Sequence, residues 1–134
     1  MEQTTRGSQP LIVGEDEFMA RLADEIVRSE RYEHPFAVLT LRPPTGTRDF
    51  GDLTDRWLES SASGLTRGCD VVAVLDDGPM LIIMLPETDV SGAGSVLERL
   101  RSAIAADTEQ EWEFGLFEYP ENKVRLQELL EEAA

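Results

Sequence analysis

The side chains with the greatest chemical capacity gather between positions 67 and 80, where Arg67, Cys69, Asp70, Asp76 and Asp77 share one short stretch. Adjacent carboxylates such as Asp76 and Asp77 are hard oxygen ligands of the kind that hold divalent cations. Followed by Gly78 and Pro79, they are also ordinary turn chemistry. Arg67 and Asp70, just before an apolar run, form a local salt bridge in the simplest reading. Cys69 between them is a small residue with no evident base to make it a nucleophile. It is the only cysteine, and His34 is the only histidine, which excludes a disulfide framework within the chain and a Cys-rich zinc site. No Ser-His-Asp arrangement, P-loop or metal-spaced His/Cys cluster is present.

Two apolar runs, Val71–Leu75 and Met80–Leu85, must position this stretch, and around Asp76-Asp77-Gly78-Pro79 they read as a β-hairpin. Upstream, Phe18, Leu22 and Ile26 recur at four-residue spacing with Met19 and Val27 beside them, which predicts a helix over Glu15–Tyr32. His34-Pro35 ends it, residues 36–41 read as a short apolar strand, and Pro43, Pro44 and Gly46 make residues 42–47 a loop. A second helix is expected to begin near Gly51-Asp52, with Leu53, Trp57 and Leu58 inward and a weak end over residues 60–64. After the hairpin, Ala93, Val96, Leu97, Leu100 and Ile104 mark one face of a helix over residues 90–105. Residues 111–117 alternate as a strand with Trp112, Phe114 and Leu116 facing one way, and residues 122–132 close as an acidic helix around Val124, Leu126, Leu129 and Leu130. Trp57 and Trp112 both fall on inward faces, which makes them core residues.

Without its outer helices the order is βαββαβ, the ferredoxin-like pattern of an antiparallel sheet with helices on one face. The expected class is therefore α+β (α/β in the broad sense), palm-like, with extra N- and C-terminal helices. Residues 1–10 read as a flexible tail and residues 11–134 as a single domain. The formal net charge is -15, with 12 basic residues against 27 acidic ones, which disfavours nucleic acid polymers and anionic membrane surfaces. No run approaches the length of a membrane span, and the polar start lacks the apolar core of a signal peptide, so a cytoplasmic location is expected.

The hairpin and its flanks resemble a GGDEF domain, the family of diguanylate cyclases. Arg67-Gly68-Cys69-Asp70 is similar to the family's R-x-x-D, five residues before the signature position, and Leu85-Pro86-Glu87-Thr88-Asp89 to its Leu-Pro-x-Thr-Asp. Phe18-Met19-Ala20-Arg21-Leu22 with Glu25, Arg28 and Tyr32 resembles its entry helix, and Pro35 with the apolar run after it resembles its first strand. Glu98-Arg99-Leu100-Arg101 fits the helix after the hairpin, and Gly115, Tyr119-Pro120-Glu121 and Leu129-Leu130 fit the closing strand and helix. The string Gly14-Glu15-Asp16-Glu17-Phe18 imitates the signature, but it opens a helix, where acidic residues favour the positive end of the macrodipole.

What the resemblance implies is a fold without its chemistry. The family joins two GTP molecules with divalent metal held by carboxylates at the end of the first strand and in the hairpin. Here Arg42 and Pro44 stand at the two strand-end positions, and a guanidinium repels a cation. The signature turn, whose glycines let backbone amides approach phosphates, reads Asp76-Asp77-Gly78-Pro79-Met80. Asp52 matches a guanine-contacting aspartate but lacks its asparagine partner and serves as a helix N-cap. The expectation is no catalytic residue, no metal and no cofactor, with Arg42 pairing Asp76 or Asp77 in place of the lost ion. The expected role is signalling or protein interaction, with a partner of basic surface facing acidic residues that include Glu128, Glu131 and Glu132. The alternative is a cyclic di-GMP receptor in which Arg67, Asp70 and Arg99 bind the ligand, and the least favoured is an enzyme ligating metal through Asp76 and Asp77.

Overall fold

The structure, a computed structural model, describes residues 11–44, 46–47, 50, 52, 71–75, 79–107, 111–121 and 123–133. Its elements are β1 (Leu11–Val13), α1 (Glu15–Tyr32), β2 (Phe36–Arg42), β3 (Val71–Leu75), β4 (Met80–Leu85), α2 (Val90–Asp107), β5 (Glu113–Tyr119) and α3 (Lys123–Ala133). The second helix expected from the sequence, with Leu53, Trp57 and Leu58, lies outside the described residues.

The strands form one sheet in the order β1-β3-β4-β2-β5. The last four have the ferredoxin-like arrangement and pair antiparallel throughout. β1 was not anticipated. It adds a strand parallel to β3 through Leu11↔Val71 and Val13↔Ala73, so the sheet is mixed. Three residues carry too little periodicity to announce a strand, and only the neighbouring β3 edge gives them a partner.

Side-chain alternation divides the core. Ala37, Leu39 and Leu41 of β2, Leu81, Ile83 and Leu85 of β4, and Trp112 pack with Ala93, Leu100 and Ile104 of α2. Phe36, Val38, Ala73, Ile82, Met84 and Tyr119 point the other way, against Phe18 and Leu22 of α1 and Leu126 of α3. Helices therefore cover both faces, α2 on one and the outer helices α1 and α3 on the other. The near-continuous burial of β2 and β4 has the same cause, because strands with two covered faces are apolar without alternation.

In α1 the buried stripe is Phe18, Leu22, Glu25 and Ser29. A strict four-residue spacing overshoots a 3.6-residue turn. By the third turn the inward position has passed to Glu25, Ile26 is only partly buried and Val27 is exposed. Val124, expected inward in α3, is likewise exposed, while Leu126 is buried. β5 runs two residues later than expected, ending at Tyr119 rather than at position 117. No described helix is long and apolar enough to cross a membrane.

Candidate functional site

Strand register brings the family-implied positions together at one end of the sheet. β2 ends at Arg42, and Leu41 pairs with Leu81 on one side and Phe114 on the other. Continuing the register sets Arg42 beside Met80, at the foot of the hairpin turn, and directly opposite Glu113. Directly opposed side chains lie close enough for opposite charges to attract. The carboxylate across from Arg42 in the described chain is therefore Glu113 of β5, which the sequence reading did not consider. The expected pairing with Asp76 or Asp77 lies outside the described residues, as do Gly78, Arg67 and Asp70.

One step inward on the same face, buried Thr40 opposes Gly115. A Cβ at position 115 would sit 2.5 Å from Thr40 Oγ1, so this glycine is what lets β5 pass β2 at that point. Of the signature-turn residues, Pro79 is exposed and Met80 is a buried core residue packed with Ile82 and Met84. At the end of β2 the Arg42 guanidinium has no lone pair to offer and Pro44 has no side-chain ligand, while Glu113 lies opposite Arg42 in the register. Among the described residues no group of three His, Cys, Asp or Glu side chains could hold a metal.

Arg99, the described member of the cyclic di-GMP set, is exposed on α2 and its Nε donates to the Ser95 carbonyl at 3.4 Å. Half-buried Val96 and Leu97 and buried Leu100 face the core, as the sequence indicated. Two residues on, Arg101 lies over the Phe114 ring at 4.6 Å.

The Leu85-Pro86-Glu87-Thr88-Asp89 segment serves as a helix start. Asp89 Oδ1 accepts the Gly92 N–H at 2.9 Å and the Asp89 carbonyl accepts the Ala93 N–H at 2.9 Å, which caps α2. Arg28 of α1 ties this turn down, with Nη2 at 3.3 Å from Glu87 and Nη1 at 3.5 Å from buried Glu25.

At the other end of the sheet, about 20 Å away along β2, lies a polar cluster that no motif announced. Buried Tyr119 donates its hydroxyl to Glu30 Oε2 at 2.5 Å, and Lys123 Nζ stands 3.8 Å from the same oxygen. Burial, then the hydrogen bond to Glu30 and its negative charge, push the Tyr119 phenol up to about 12. The expected strand stopped at position 117, short of Tyr119, and the tyrosine's carboxylate partner is 89 positions away.

No family model matches the sequence, and no curated protein matches it either. Solved structures do. A DGC protein from Thermotoga maritima superposes with a TM-score of 0.74 at 14% identity, over 96% of this chain and 98% of that one. Diguanylate cyclase SiaD of Pseudomonas aeruginosa, solved with its activator SiaC, gives 0.59 at 20% identity, over 90% of this chain and 54% of that one. PelD of Pseudomonas aeruginosa PAO1 in complex with c-di-GMP gives 0.55 at 24% identity, over 72% of this chain and 35% of that one. This chain thus spans about half of SiaD and about a third of PelD. A five-stranded sheet in this order, clad by helices on both faces and superposing on these proteins, is the GGDEF-like, palm-type fold.

Proposed function

We propose that this chain is a GGDEF-like signalling module that has lost cyclase chemistry and acts by contact with a protein partner. The observation that carries the reading is Arg42 at the end of β2, facing Glu113 and adjoining the hairpin turn. A guanidinium at that strand end repels a cation and offers no oxygen ligand for magnesium and triphosphate. The acidic surface, with a formal charge of -15, steers toward a basic partner surface. SiaD, solved with a protein activator, is a precedent for a protein of this fold engaged by another protein. Incubation with GTP and magnesium tests the loss of chemistry: the expected result is no cyclic dinucleotide, and sustained product formation refutes it.

A second reading, a cyclic di-GMP receptor, draws support from the likeness to PelD, which was solved with that ligand. It assigns the phosphate and guanine contacts to Arg67, Asp70 and Arg99. Calorimetry separates the two. Micromolar binding of cyclic di-GMP that disappears in Arg67→Ala supports the receptor, and an absence of heat supports the interaction module.

A further inference from the structure

The cleft beside Tyr119, half open to solvent, has a volume of about 360 Å³ and lies between the end of α1, the end of β5 and the start of α3. That volume is at the lower end of the range of small-ligand pockets, roughly 300–1,000 Å³. Pro35 and Pro120 supply aliphatic walls, and Glu30, Glu33, His34 and Lys123 supply the polar groups.

Two features of its lining are unusual. His34 has both ring nitrogens shielded from solvent, and neither has a hydrogen-bond partner among the described residues. The imidazole instead lies parallel to Tyr32, with ring centroids 6.4 Å apart. Native buried polar atoms are nearly all paired, so an imidazole without partners at the wall of a cleft marks a place built for another group. The second feature is that a cation already answers the cleft's carboxylate: Lys123 stands at 3.8 Å from Glu30, and both side chains are about half exposed. That separation is long for a charge-assisted hydrogen bond.

We propose that this cleft binds a compact organic cation, a guanidinium or alkylammonium group. Its N–H donors go to the Glu30 and Glu33 carboxylates, and the His34 ring turns from Tyr32 to offer a ring nitrogen as a third acceptor. The aliphatic stem of the cation lies against Pro35 and Pro120, and Lys123 is the competitor that the ligand displaces. The net charge of -15 raises the local concentration of any such cation. This site is at the opposite pole from the hairpin turn, so it stands or falls separately from the reading above. The same chemistry is carried by a free amine and by an arginine in a peptide.

His34 is the only histidine, so its ring signals in a proton–carbon NMR spectrum are unambiguous reporters. Agmatine and an acetylated, amidated Gly-Arg-Gly peptide are titrated into the intact chain in low salt. The expected result is a saturable shift of the His34 ring signals with at least one of them. Affinity falls about tenfold in the Glu30→Gln/Glu33→Gln variant and rises severalfold in Lys123→Ala. Binding of agmatine alone assigns the site to free amines, and binding of the peptide assigns it to a partner's arginine. A purely structural role for these residues does not produce opposite effects from the two variants. No saturable shift with either probe, or equal affinity in all three proteins, overturns the proposal.

Discussion

At the scale of single residues, two contacts allow sharp tests. Gly115 is required by Thr40, because an added Cβ meets Oγ1 at 2.5 Å on a backbone pinned by the β2–β5 ladder. Gly115→Ala is expected to destabilise by about 1–3 kcal/mol, the usual range for overpacking. Thr40→Ala in the same chain should recover part of that loss, so urea melts of the double-mutant cycle will show coupling rather than additivity. Tyr119 supplies a pH test. Its phenol is held at about 12 against an ordinary value of 10.0, so the protonated form is favoured in the folded state. The stabilisation is whole below pH 10 and is lost as pH rises through about 12. Absorbance titration should show a late tyrosine ionisation that is missing in Tyr119→Phe, and the wild type's stability should fall more steeply than the variant's across that window. Ionisation of Tyr119 near its ordinary 10.0 contradicts this assignment.

At the scale of elements, helix ends carry the informative departures from ideal sequence. Glu33 closes α1 in the left-handed region, φ 57 and ψ 43, with its N–H donating to the Ser29 carbonyl at 2.8 Å. A side chain in that conformation costs about 1 kcal/mol relative to glycine. Glu33→Gly is therefore expected to stabilise the fold by up to that amount, read as a higher denaturant midpoint. Phe18→Ala, removing a fully buried ring from the first turn of α1, should cost about 3–5 kcal/mol in the same melts.

What was legible follows from the same physics. The hairpin strands, α1 and the face of α2 were visible because each carries enough apolar repeats to reveal its period. Leu11, Ile12 and Val13 make a strand only because β3 offers an edge. The buried position of Glu25 does not show in a four-residue spacing, because the helix turns every 3.6 residues. Arg42 was recognisable by its place in the chain, but its opposite number Glu113 was not. Cross-strand pairing between positions 71 apart depends on register, and register depends on the whole sheet. The Glu30–Tyr119 hydrogen bond was invisible for the same reason.

At the scale of the whole molecule, charge dominates. A net charge of -15 on 134 residues works against the compact state by self-repulsion, and exposed pairs such as Arg21–Glu17 at 2.8 Å offset it only locally. Thermal midpoints are therefore expected to rise as sodium chloride increases from low concentration to about 0.15 M, where the Debye length has shrunk to ~8 Å. Affinity for a basic partner should fall over the same range. The fold is the GGDEF-like one of the superposed proteins, and this chain ends β2 on Arg42, opposite Glu113 in the register and beside the foot of the hairpin. The direct measurement is paramagnetic relaxation by manganese in the presence of a non-hydrolysable GTP analogue, read residue by residue from backbone amides. The account predicts no saturable broadening centred on Arg42 and Met80. Saturable broadening focused on those two positions, deepening as the nucleotide is added, contradicts it.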